Sequence, residues 1–179
     1  MATVLYSASM SLDGFIAGPR GDMSWLTRYS GPDPAAEAIV DQIGALLVGN
    51  RTFHGDDPNR GTDKEGAFDG QWSGPTFVLT HNPPAEPVPG ITFVGDLASG
   101  LAAASEAAGE KYVNIIGADV ARQCVEAGLL DEVLAFVAPA LLGDGVRLFD
   151  APGGNHVGLE RLSVTEAPKS TSIRFRVVR

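Results

Sequence analysis

A single cysteine, Cys124, occurs in the 179 residues. No internal disulfide can form, and a reducing compartment, the cytoplasm, is the expected setting. Basic residues are also scarce: 13 Lys and Arg against 22 Asp and Glu leave a formal net charge of −9. Nucleic acids and anionic membranes attract the opposite sign, so neither is expected as a partner. Any phosphate on a ligand has to be held locally, by backbone N–H groups or a few arginines. Long apolar runs are missing. The most apolar stretch, V133-L-A-F-V-A-P-A-L-L142, is too short to span a bilayer and contains a proline. The start of the chain lacks the basic and apolar regions of a signal peptide. The histidines His54, His81 and His156 lie far apart, and no Cys/His cluster has zinc spacing. G-x-x-x-x-G-K-[ST], G-x-S-x-G and G-x-G-x-x-G are all absent. That excludes a P-loop and a nucleophile elbow and argues against a Rossmann dinucleotide turn.

What is present reads as an ordinary globular chain. Apolar residues make up 44% and charged residues 20%, enough for a proper core. The length suits one domain over residues 1–179. Short runs rich in Val, Ile, Leu and Phe predict buried strands at V4-L-Y-S-A, A45-L-L-V-G, T76-F-V-L-T, I91-T-F-V, Y112-V-N-I-I and V133-L-A-F-V. Runs without alternation suit strands covered on both faces, as in parallel sheets. Three helices are predicted between them. One is capped by Asp33 with Pro34 at its first position and carries Ala36, Ile39, Val40 and Ile43 on one face. A second opens at Asp96, turns Leu97, Leu101 and Ala104 inward and stops at Gly109. A third runs from Ala118 to Ala127, with Val120, Ala121, Cys124 and Val125 inward and Gly128 as its stop. The tail alternates polar and apolar residues in L159-E-R-L-S-V-T-E and S172-I-R-F-R-V-V-R, an antiparallel hairpin pattern. The glycine- and charge-rich segment 54–70 reads as a long surface loop.

Three strand ends carry similar punctuation. In V48-G-N-R-T-F53, Gly49 admits close approach of a ligand to the backbone, and a helix N-terminus follows with Arg51 and Thr52. Such a terminus offers free N–H groups and a positive dipole end, suited to phosphate. V78-L-T-H-N-P-P84 closes a strand at Thr80, before His81. I115-I-G-A-D-V-A-R122 ends a strand at Gly117 and starts a helix at once with Ala118, Asp119 and Val120. Each alone also reads as an ordinary turn. Together they favour a nucleotide diphosphate beyond the carboxyl ends of the strands.

S11-L-D-G-F-I-A17, S24-W-L26, L46-L-V-G-N-R-T-F53, V78-L-T-H81, I115-I-G-A-D119, A127-G-L-L-D-E132 and A138-P-A-L-L-G-D-G-V-R-L-F149 occur in one order. In that order they resemble the C-terminal reductase domain of the bifunctional riboflavin-biosynthesis deaminase/reductase, within the dihydrofolate-reductase-like superfamily. The resemblance implies a three-layer αβα fold around a mixed, mainly parallel sheet with a C-terminal antiparallel hairpin. It implies NADPH as hydride donor, a small heterocyclic substrate of pyrimidine or pteridine type and a homodimer. It places the cofactor at Gly49, Arg51, Thr52, Thr80 and the turn from Gly117 to Val120, with Ile16 and Ala17 against the nicotinamide. The deaminase half's H-x-E and P-C-x-x-C are absent, so only the reductase half is expected. Asn50 stands where a basic residue usually follows the glycine, leaving Arg51 or His81 for a 2′-phosphate. Ala118 stands where a second glycine is usual.

Asp13 has two readings. It is a turn residue of the Asp13-Gly14 pair, or an acid that orients substrate and helps deliver a proton. Glu37 and Asp41, at the first helix, are competing acids; both also read as solvated helix charges, Asp41 the more so. Trp25 reads as a core or pocket-wall aromatic, and Arg147 as a surface residue or a partner for a substrate phosphate. The default substrate is 5-amino-6-(5-phosphoribosylamino)uracil. A dihydrofolate reductase proper and a non-catalytic nucleotide-binding module remain as alternatives.

Overall fold

The computed structural model describes residues 2–154 and 156–179. Its elements run β1 (Thr3–Ser11), β2 (Phe15–Ala17), α1 (Pro34–Val40), β3 (Ile43–Gly49), α2 (Asn50–Phe53), β4 (Thr76–Leu79), β5 (Ile91–Val94), α3 (Leu97–Ala108), β6 (Tyr112–Ile116), α4 (Ala118–Glu126), β7 (Glu132–Ala138), β8 (Val146–Arg147), β9 (Gly158–Ala167) and β10 (Ser170–Val178). Eight strands form one sheet in the order β5-β4-β3-β6-β1-β7-β10-β9. The strands from β5 to β7 are parallel neighbours. β10 lies antiparallel between β7 and β9. The tail hairpin therefore extends the parallel sheet, as its alternating pattern predicts. β2 and β8 pair separately.

Period-two alternation divides the sheet into two faces. Val4, Tyr6, Ala45, Leu47, Val113 and Ile115 point to the face covered by α3 and α4, and share one core cluster with Leu101, Ala104, Val120 and Cys124. Leu5 and Leu134 point the other way, onto Ile39 of α1. The result is three layers. Leu5 and Leu47 have no exposed surface at all, and burying each such leucine stabilises the fold by about 1.5–3 kcal/mol. This two-sided burial is why the strand runs lack alternation.

α1 and α3 begin at the predicted caps. The Asp33 carboxylate accepts the Ala35 and Ala36 N–H groups, and Asp96 accepts Ser99 N–H. Ile43 departs from expectation. It opens β3 instead of extending α1's apolar face. Its neighbour Gly44 explains the break: a Cβ there would lie 2.6 Å from the Ala108 Cα, so β3 must start bare for α3 to close onto it. The long segment after α2 lacks strands and α-helices, as expected of a loop, yet it is not only surface. Trp72 donates its indole N–H to the Ile43 carbonyl at 3.2 Å, and Phe68 and Trp72 pack on the cluster of Leu46, Val48 and Val78.

Candidate active site

A cleft of about 2200 Å³ opens along the carboxyl ends of β1, β3, β4 and β6, on the face that α1 partly covers. Single drug-sized ligands occupy about 300–1,000 Å³, so two ligands fit side by side. Twelve of the residues singled out from the sequence line it: Ile16, Ala17, Glu37, Gly49, Arg51, Thr52, Thr80, His81, Gly117, Ala118, Asp119 and Val120.

The turns at Gly49 and Gly117 meet. Gly117 has φ +114°, and a Cβ on it would stand 2.7 Å from the Thr52 Oγ1. A Cβ on Gly49 would meet Val120 Cγ2 at 3.2 Å. Both turns are therefore tight, and their backbone is bare toward the cleft. Neither α2 nor α4 has a side-chain N-cap, whereas α1 and α3 do. The unpaired N–H groups at the start of α4 carry its positive dipole end. The carboxylate of Asp119 in that first turn is engaged elsewhere: Arg122 donates to it at 2.8 Å and Gln123 at 2.9 Å. Those bonds, the Arg122 one foremost, hold its carboxyl below the usual range. Arg51 adds positive charge nearby. Thr80 is buried and its hydroxyl oxygen accepts the Asn82 N–H at 3.1 Å, the turn role. His81 and Arg51 are exposed at the rim.

Asp13, Trp25 and Arg147 are not among the residues that line the cleft. The Asp13 carboxylate accepts from Ser11 Oγ at 2.6 Å, Leu142 N–H at 3.0 Å and Gly143 N–H at 2.7 Å. These bonds, Ser11 first, lower its pKa to about 2. Asp13 is thus a charged anchor at neutral pH, held by one side-chain and two backbone donors. It fastens the β1–β2 turn to the segment after β7. A second contact tightens the same junction: Gly145 has φ +137°, and a Cβ there would collide with the Ala17 carbonyl at 2.0 Å. Ile16 and Ala17 are held on the cleft wall by this pairing. Arg147 sits on β8 with its guanidinium carbon 4.8 Å from the Phe15 ring centroid. Trp25 packs beside Tyr29, with ring centroids 6.1 Å apart.

The cleft also contains residues that sequence reasoning did not assign to the site. Asp57 accepts the Asn59 and Gly66 N–H groups, and Asp56 accepts the Met23 N–H. They tie the long loop to itself and to the segment before α1. Asp33 accepts hydrogen bonds from Ser170 and Ser172 as well as capping α1. Asn114 is fully buried on the cleft floor. A signal existed for it: it is the one polar side chain inside the apolar core of Y112-V-N-I-I. Among the described residues no group of three His, Cys, Asp or Glu is placed to hold a metal ion, and no helix is long and apolar enough to cross a membrane.

This arrangement has relatives. Residues 2–172 match the RibD C-terminal domain. The chain belongs to that family. RibD C-terminal domains are reductases, so the cleft belongs to an oxidoreductase family. No curated protein matches the chain in sequence at a significant level. Among solved structures, a Shewanella sp. PV-4 protein assigned provisionally to riboflavin biosynthesis is 25% identical over 100% of both chains, with a TM-score of 0.74. Acinetobacter baumannii RibD aligns over 100% of this chain and 59% of its own, at 21% identity and TM-score 0.70. An Enterococcus faecalis dihydrofolate reductase, solved with NADP(H), aligns over 99% of this chain and 97% of its own at 16% identity and TM-score 0.61. This RibD C-terminal domain thus has the dihydrofolate-reductase-like fold.

Proposed function

We propose that this chain is an NADPH-dependent reductase of a pyrimidine-like heterocycle, with 5-amino-6-(5-phosphoribosylamino)uracil as its default substrate. The observation that carries the reading is the pair of abutting glycine turns at Gly49 and Gly117 beside the uncapped start of α4. A diphosphate fits that cradle, because glycine backbone and the Thr52 hydroxyl border it and a Cβ at Gly117 would meet that hydroxyl. When bound, the nicotinamide supplies a hydride. The chain's own residues do the rest. Ile16 and Ala17, fixed by the Asp13 anchor, present an apolar wall that excludes water from the reacting ring. Arg51 and His81 stand at the rim for a 2′-phosphate, in place of the basic residue that Asn50 replaces. Glu37, on the first turn of α1 and lining the cleft, is the candidate acid for a ring that grows more basic as it is reduced.

Titration with NADPH and, separately, NADH, followed by cofactor fluorescence, tests this directly. NADPH is expected to bind at least about tenfold more tightly than NADH, a difference of about 1.4 kcal/mol. Binding of neither would end the reading.

A further inference from the structure

Asn114 sits at the middle of β6, in register with Leu5 of β1 and Leu46 of β3. Its side chain has no exposed surface, and neither its amide nitrogen nor its amide oxygen has a hydrogen-bond partner among the described residues. A buried polar group left unpaired costs about 1–3 kcal/mol, and native proteins rarely keep one without a reason. Its ladder partners Leu5 and Leu46 and the next residue on its face, Ile116, are apolar and offer the amide no partner. Asn114 is nonetheless among the residues that line the cleft, as is Ser7 on β1.

We infer that Asn114 reads the substrate, by pairing its carboxamide with an adjacent N–H and C=O on the ring. A carboxamide offers one donor edge and one acceptor edge. Its complement is a cyclic amide or ureide of uracil type, not a phosphate and not an apolar ring. This rests on the proposed reductase reading for the presence of a heterocycle in the cleft. The position favours substrate over cofactor. Asn114 lies three residues before Gly117, about 10 Å along the strand, and on the sheet face opposite α4. An amide without a partner destabilises the free protein, and a ligand that pairs with it compensates. Replacing it with an apolar residue of similar size therefore separates stability from binding.

The test uses the full chain, two variants and two probes. The probes are 5,6-diaminouracil and 5,6-diamino-1,3-dimethyluracil, whose ring N–H groups are blocked. The wild type is expected to bind the first at least about tenfold more tightly, the worth of one or two hydrogen bonds. Asn114→Leu is expected to melt higher than the wild type, to lose that preference and to bind NADPH unchanged. Asn114→Ser, smaller and still polar, is expected to lose the preference as well. Should either variant fail to fold, the wild-type comparison of the two probes still decides. Equal binding of the probes by the wild type, or an unaltered preference in Asn114→Leu, overturns the inference. So does a loss of NADPH affinity in Asn114→Leu, which would assign the amide to the cofactor. Failure of the wild type to bind NADPH at all strikes the reductase reading separately.

Discussion

Asp13 shows how one carboxylate fastens two distant segments of the chain. Its three accepted hydrogen bonds come from Ser11 and from the backbone of Leu142 and Gly143. Because they favour the charged form, its pKa falls to about 2. A depressed carboxylate contributes stability that is complete above the unfolded value, about 3.9, and is lost as pH falls through the folded one. The anchor is therefore expected to hold unchanged from pH 8 to about 4 and to release between about 4 and 2. Amide hydrogen exchange at Leu142 and Gly143, corrected for its intrinsic pH dependence, reads this. Asp13→Ala is expected to bring at pH 7 the loss of protection that the wild type shows only in acid. Unaltered protection in the variant would show that the turn stands without it. The turn reading was legible in the sequence, since Asp13-Gly14 is a turn pair. The partners were not, because Leu142 and Gly143 lie far along the chain and only the sheet brings them together.

At the scale of elements, α4 carries two glycines with opposite duties. Gly117 precedes its first turn at φ +114°, and Gly128 follows its last at φ +68°. An alanine at either is forced into a region that costs an L-residue about 1–2 kcal/mol. Only the first also meets an obstacle, Thr52 Oγ1 at 2.7 Å, while nothing lies within 4 Å of a Cβ on Gly128. Gly128→Ala is expected to lower stability and leave NADPH binding intact. Gly117→Ala is expected to lower stability by at least as much and to weaken NADPH at least about tenfold, an added 1.4 kcal/mol. Calorimetry alongside fluorescence titration separates the two, and equal affinities would remove Gly117 from the cofactor site. Both helix stops and both caps were legible, because glycine and Asp act through local backbone geometry. Local rules also placed the six strands β1 and β3 to β7 and the tail hairpin, though β5 lies at the sheet edge with no buried residue. They could not give the strand order, in which β6 inserts between β3 and β1. They also misplaced Ile43, whose fate Ala108 decides from another element. Twelve cleft residues were found from strand ends and resemblance. Asn114 was missed because a buried strand pattern hides its one polar member.

The whole molecule joins its layers at the cleft. Residues from β1, β3, β4, β6, α1 and the long loop after α2 all line it, so the proposed dinucleotide is expected to contact elements spread across the sheet. The chain carries a net charge of −9, which opposes an anionic ligand at long range. That repulsion is largely screened beyond about 8 Å at physiological ionic strength, leaving the bare N–H groups at α4 and Arg51 to act at contact distance. Binding to the folded state alone raises its stability by about 2.7 kcal/mol at a ligand concentration one hundred times Kd. For a chain of this length that corresponds to a rise of about 5–10 °C in Tm. The two tryptophans report on different places: Trp72 on the long loop at β3, Trp25 on the segment before α1. If residues 1–179 melt as one cooperative unit, tryptophan fluorescence and far-UV circular dichroism give one Tm, and NADPH moves both equally. A shift confined to fluorescence would mean that the cleft loops order around the cofactor while the sheet melts independently, and the chain would then not be one domain. A shift in neither probe, at a concentration that saturates binding, would place the cofactor outside the folded cleft.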